Sequence, residues 1–133
     1  MNLQIFIIVL AIQIVITLPN FIKTCKSLCG FSLLVYLFHH AYDVYLFWGF
    51  LFFSKAIEFS SHILLSLVTG LHWFMNDNKC VLTEYLNNLC GYRKDVWLDS
   101  IKNRLYLRSI NEYFQFIWIG LHIIYDSYRL RLI

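Results

Sequence analysis

Apolar side chains gather in four long runs, divided by short polar stretches and one longer polar interval. The first run is Met1 to Leu18, broken by Asn2, Gln4 and Gln13 and ended by Pro19-Asn20. The second is Phe31 to Phe53 and carries His39, His40 and Asp43 within it. The third extends from Ala56 to Met75, set off by Ser54 and Lys55, with Glu58, Ser60 and Ser61 in its opening turns. The fourth covers residues 110–125 and continues into a polar tail with Arg129 and Arg131. A hydrocarbon core of ~30 Å takes about 20 helical residues, so each run is long enough, or nearly so, to cross. The pattern predicts an all-α, multi-pass transmembrane bundle of four spans: residues 1–18, 31–53, 56–75 and 110–125. It forms a single membrane domain over 1–133.

The interval 76–109 is the one connection long enough for structure of its own. Asp95 is placed to cap a short helix in which Trp97, Ile101 and Leu105 repeat at four-residue spacing. Asp99, Lys102, Asn103 and Arg104 fall largely on the other side. Such a helix suits the bilayer interface, and the same stripe would suit a partner protein. Upstream, Asn76-Asp77-Asn78 can turn the chain. Thr83 is placed to cap a second short helix with Glu84 in its first turn, and Gly91 can end it.

Composition sharpens the membrane reading. The 133 residues are 59% hydrophobic, 19% aromatic and 14% charged, against about 45–50% apolar and about 25% charged in soluble domains. Disorder needs the opposite balance. A net charge of +3 spread over apolar runs makes no nucleic-acid footprint. The expected partners are therefore the lipid bilayer and other transmembrane subunits, with no nucleic acid. A cleaved signal peptide would need a basic leader and a small-residue cleavage site, and no Lys or Arg precedes Lys23. Phe, Ile, Leu, Tyr, Asn and Lys abound while Ala and Pro are scarce. That usage suits an AT-rich genome, pointing to an organelle inner membrane, such as the mitochondrion's, or a virus-associated membrane.

Charge also predicts orientation. Lys23, Lys26, Lys79, Arg93, Lys94, Lys102, Arg104 and Arg108 flank one side, and Lys55, Arg129 and Arg131 the other. The positive-inside bias then puts both termini on the side away from the cytoplasm or matrix. Cys25, Cys29, Cys80 and Cys90 fall in the two inner loops, where a reducing compartment keeps thiols free. A Cys80–Cys90 bridge would suit the inverted topology. A four-cysteine zinc site lacks the usual Cys-x-x-Cys spacing.

Ionisable groups inside a span are costly, and they mark functional candidates. His39 and Asp43 are four apart, His40 and Asp43 three apart, so Asp43 can contact either ring along one helix face. A hydrogen-bonded group tying helices together is one reading; a metal site, proton relay or ligand contact are others. Two imidazoles and a carboxylate fall short of a complete tetrahedral zinc site, with Glu84, Glu112 or His72 needed to fill it, so no metal is assigned. Helical rise places His62 and His122 at matching depths of ~20 and ~18 Å, whereas His39 and His72 differ at ~12 and ~5 Å. His62 and His122 are thus the candidate axial pair for a haem b, with Gly120 leaving room beside them. No phosphate loop, nucleophile elbow or catalytic carboxylate pair is present, and no catalytic residue is assigned.

Two resemblances bear on this. Residues 33–91 resemble a family of small four-span membrane proteins of unknown function whose exit loop reads Cys-Pro-Leu-Thr. Cys80, Leu82 and Thr83 match it, with Val81 in place of the Pro and Glu84 directly after the Thr. His40 and His62 occupy comparable places on the preceding spans. The resemblance implies the four-span fold and no known activity. The stretch Gly120 to Tyr128 is similar to a span end in the succinate dehydrogenase membrane anchors, with Phe116 where their His stands. It implies a haem- and quinone-associated anchor of a respiratory complex, with Asp126 and Tyr128 on the quinone side. The primary expectation is a non-catalytic subunit of a larger membrane assembly, without an assigned cofactor; the haem b anchor is its alternative.

Overall fold

The computed structural model describes residues 1–76, 80–91 and 114–131, and all regular structure among them is helical. Helix α1 is Leu3–Thr24, α2 Gly30–Trp48, α3 Ala56–Met75, α4 Val81–Cys90 and α5 Phe114–Arg129, with a 3-10 turn at Gly49–Leu51. The all-α expectation holds, and α3 keeps its expected bounds. The amphipathic helix expected over 95–105 lies outside the described residues, as do Asp77, Asn78, residue 110 and Glu112.

Asn2 begins α1 by accepting from the Ile5 N–H with its side chain. Pro19 does not end the helix as expected; α1 runs through it to Thr24. Proline removes one backbone donor, yet its fixed φ of about −65° is itself helical, and apolar spans tolerate it. Cys29 caps α2 through its sulfur, and Ser32 answers with its hydroxyl. Cys80, rather than Thr83, stands at the N-cap of α4, which places Thr83 in its first turn. Gly91 ends α4 as expected, at φ +70, a left-handed conformation natural to glycine.

The helices pack so that two ends of the molecule are distinct. At one end the Asn2 N–H donates to the Phe52 carbonyl at 2.7 Å, and the Met1 amine pairs with Glu58. Arg129 of α5 lies over the Phe59 ring there, 5.0 Å from its centroid. At the other end Cys25 and Cys90 form a disulfide, and the Lys26 N–H donates to the Cys90 carbonyl at 3.1 Å. Helices α1, α2 and α3 therefore alternate in direction, and α3 and α5 share the most extensive contact. The N-terminal half of α2 is covered by α4, whose Leu86 and Cys90 join Phe21, Cys25 and Tyr36 in one cluster.

The disulfide corrects the expectation of four free thiols: Cys25 and Cys90 are bonded, while Cys29 and Cys80 are thiols. The pairing follows from α4 lying back along α2, which carries Cys90 to the end of α1.

Polar side chains are buried beside apolar ones, while many large apolar side chains are exposed. The inward stripe of α3 is Phe59, His62, Ser66, Thr69 and Trp73, a spacing of three and four. That of α5 contains Ile119, His122 and Asp126. In α1, Thr17 and Phe21 are buried, whereas Val15 is 72% exposed, and Ile7, Ile8, Ile12 and Ile22 are also exposed. Ile57, Leu64, Leu67, Val68, Leu71 and Phe74 face outward along α3. Among the described residues, α1 is the helix long and apolar enough by itself to cross a membrane.

Candidate functional site

Two polar clusters occupy the interior, one at the middle of α2 and one near its C-terminal end. The first is built on the four-residue stripe of α1 that carries Gln13 and Thr17. The Thr17 hydroxyl donates to the Gln13 carbonyl at 2.8 Å, the usual backbone contact of a helical threonine. Its single hydrogen is thereby committed, so its oxygen accepts from Tyr36 and from His40 Nε2–H, the latter at 3.2 Å. His40 Nδ1 is then the lone-pair nitrogen, and it accepts from the Gln13 amide at 2.7 Å. With the Thr17 hydrogen given to Gln13, these contacts favour this tautomer of His40.

His39, on the neighbouring face, directs Nε2 at the Thr83 hydroxyl of α4, 3.1 Å away, with Cys80 Sγ at 3.7 Å. Asp43 stands one turn on, its Oδ2 3.2 Å from His39 Nδ1 and 4.0 Å from His40 Nδ1. Both rings are 4% exposed, while the Asp43 side chain keeps 24% of its surface accessible. The trio expected from spacing is therefore assembled. His72 and Glu84 do not complete it: His72 Nε2 accepts from the Val81 N–H and Glu84 accepts from Asn76.

The second cluster joins α3 to α5. His62 Nε2 contacts the Leu46 carbonyl at 2.9 Å, and Nδ1 contacts Asp126 Oδ2 at 2.5 Å. A carbonyl can only accept, so Nε2 carries a hydrogen; a second hydrogen lies between Nδ1 and the carboxylate. Whichever atom holds it, the pair as a whole is net neutral, which lowers the cost of complete burial. His122 lies beside it with ring centroids 5.7 Å apart, enclosed by Phe50 and Trp118 at 4.8 and 4.9 Å. Both ring nitrogens of His122, and Asp126 Oδ1, are buried without a hydrogen-bond partner among the described residues.

His62 and His122, the candidate axial pair, lie ring beside ring. In this arrangement, however, His62 has no ring nitrogen free for an axial metal, because Nε2 is engaged by the Leu46 carbonyl and Nδ1 by the Asp126 carboxyl group. Gly120 faces open space, with nothing within 4 Å of where a Cβ would stand. Asp126 is fully buried against His62 and Tyr128 is 67% exposed, so the two are not brought together. Sequence reasoning did not find Asp126 as the partner of His62, nor Gln13, Thr17 and Thr83 as partners of His40 and His39. Burial of Asp126 on the His122 face of α5, at four-residue spacing, was the signal available for the first.

Outside the two polar clusters, Cys29 is an exposed thiol whose pKa is held below the ordinary value by the Ser32 backbone N–H and side chain. No protein-family model matches the chain. Neither a curated protein nor a solved structure is significantly similar to it.

Proposed function

We propose that this chain is an integral membrane protein whose helices α1, α2, α3 and α5 cross the bilayer, serving as a non-catalytic subunit of a membrane assembly. The observation that carries the reading is the wide apolar exterior over a partly polar interior. His39, His40, His62, Ser66, Thr69, His122 and Asp126 are inside beside apolar groups such as Val44, Leu46 and Phe59, while many further Ile, Leu, Val and Phe side chains are exposed. In water that distribution wastes the hydrophobic effect; in hydrocarbon, polar groups must find partners within the protein. Helices of 19, 20 and 16 residues in α2, α3 and α5 measure about 28, 30 and 24 Å at helical rise. Those lengths suit a core of ~30 Å with modest thinning or flanking anchors.

The exposed aromatic side chains Phe31, Phe38, Trp48, Phe74 and Tyr128 support a partner-facing role. The interior polar groups bond chiefly to one another, which suits helix cohesion. Alkaline carbonate extraction tests the membrane reading: the chain is expected in the pellet, and its release into the supernatant would overturn it. Native electrophoresis in mild detergent tests the subunit reading, which a purely monomeric species contradicts. The haem anchor reading requires His62 to part from Asp126. A Soret band lost in both His62→Ala and His122→Ala would establish it in place of the non-catalytic one.

A further inference from the structure

We infer that His39, His40 and Asp43 form a binding site for a divalent transition-metal ion of the zinc class. One nitrogen from each ring and one carboxylate oxygen lie within 4.8 Å of one another. Zinc held by nitrogen and oxygen at ~2.0–2.2 Å in a tetrahedron sets its donor atoms about 3.4 Å apart. The carboxylate sits at 3.2 and 4.0 Å from the two Nδ1 atoms, values that straddle this spacing. The widest separation in the set, up to 4.8 Å, must shorten by about 1.4 Å to reach that spacing, a change that rotation of the two imidazoles would supply.

The surroundings hold the rings as metal-binding histidines are held. Such a ring usually donates its other N–H to an oxygen, which fixes tautomer and orientation. His40 does so toward Thr17, as the hydroxyl bookkeeping above requires. His39 has the Thr83 hydroxyl in the same position, 3.1 Å from Nε2. Both Nδ1 atoms consequently lie on the Asp43 side. On binding, the Gln13 amide gives up its contact with His40 Nδ1. Asp43 keeps 24% of its side-chain surface accessible, and a fourth ligand would reach the ion from that side. Cys80 lies at the Nε2 edge of His39 and so stands behind the ring, outside the donor set. That separates this site from a cysteine-bearing zinc site. The inference rests on the α1, α2 and α4 contacts alone, and does not depend on whether the chain is a subunit of an assembly.

The test uses the full chain purified in detergent, stripped with a chelator and titrated with Zn²⁺ or Co²⁺ alone. The expected result is one equivalent of metal per chain, a raised thermal midpoint, and visible d–d bands of a low-coordinate Co²⁺ centre with nitrogen and oxygen donors. Asp43→Asn, close in size to the native residue, should lower affinity at least tenfold, and His40→Ala should abolish stoichiometric uptake. Cys80→Ser should keep both the metal and the spectrum. Absence of stoichiometric uptake by the wild-type chain overturns the site without recourse to any variant. Uptake undiminished by Asp43→Asn, or lost with Cys80→Ser, overturns this donor set.

Discussion

Threonine 17 and aspartate 126 show how single side chains decide the state of the polar interior. One hydroxyl hydrogen, given to a backbone carbonyl, makes His40 a donor at Nε2 and an acceptor at Nδ1. One carboxylate, wholly buried, holds His62 against the Leu46 carbonyl. Replacing Asp126 by Ala leaves the His62 Nδ1 group buried without an acceptor, which costs about 1–3 kcal/mol. Reversible unfolding in mixed micelles should register that loss. In the double variant with His62→Ala the loss should fall short of the sum of the two singles, since their interaction is counted twice. Full additivity would show that the contact contributes nothing. Gly49 is a second sensitive position. A Cβ there would stand 2.5 Å from Phe53 Cζ, with His62 Cδ2 at 3.4 Å. The Phe53 ring is itself buried, so it has little room to yield. Gly49→Ala should therefore destabilise by about 1–3 kcal/mol, the usual cost of overpacking, read as a lower thermal midpoint. A neutral outcome would mean that the end of α2 adjusts freely.

Among the elements, α4 is the one whose position changes the meaning of the others. It lies against the N-terminal half of α2 and brings Thr83 to His39, about 13 Å along α2 from Gly30 at helical rise. Thr83→Val keeps shape and removes the hydroxyl, so it should cost about 1 kcal/mol and loosen α4 first. Hydrogen exchange confined to residues 81–90, with faster labelling of Cys80, is the expected signature; unchanged protection would show that the disulfide alone holds the helix. Periodicity made α3 legible to its ends, because its polar Ser54-Lys55 start and Asn76 finish are local signals. It also put Asp43 within reach of either His39 or His40. It misjudged α1, whose apolar run continues through Pro19, since a helix surrounded by apolar neighbours loses little beyond one hydrogen bond there. The partners of the trio were not legible: Gln13 and Thr83 lie 27 and 44 residues from the histidines they touch. Only packing brings them in. The same holds for His62 and Asp126, 64 residues apart.

For the molecule as a whole, if the proposed bilayer crossing holds, two physical signals disagree about which end would face the reducing side. Counted over the full chain, Lys and Arg favour the cysteine end as the cytoplasmic one. The Cys25–Cys90 bond, which links positions 65 residues apart, belongs in an oxidising compartment. Within the described residues the charge count is Lys23 and Lys26 against Lys55, Arg129 and Arg131. The bias thus comes entirely from Lys79 and residues 93–108. A covalent bond closing so long a loop removes about 4 kcal/mol of disorder from the unfolded chain, a larger constraint than a statistical preference. The disulfide end is accordingly expected on the oxidising face, with both termini on the reducing one. Cys29 supplies the probe, because it is exposed at that same end and its lowered pKa raises its thiolate fraction at neutral pH. Membrane-impermeant maleimide applied from the oxidising side should modify Cys29 first. Two further thiols should become reactive only after reduction and denaturation. Labelling of Cys29 solely from the reducing side, or reaction of all four cysteines in denaturant without reductant, would reverse the assignment. Cys90→Ser then measures the bond directly: about 4 kcal/mol of stability should disappear, and the difference should vanish when both proteins are reduced.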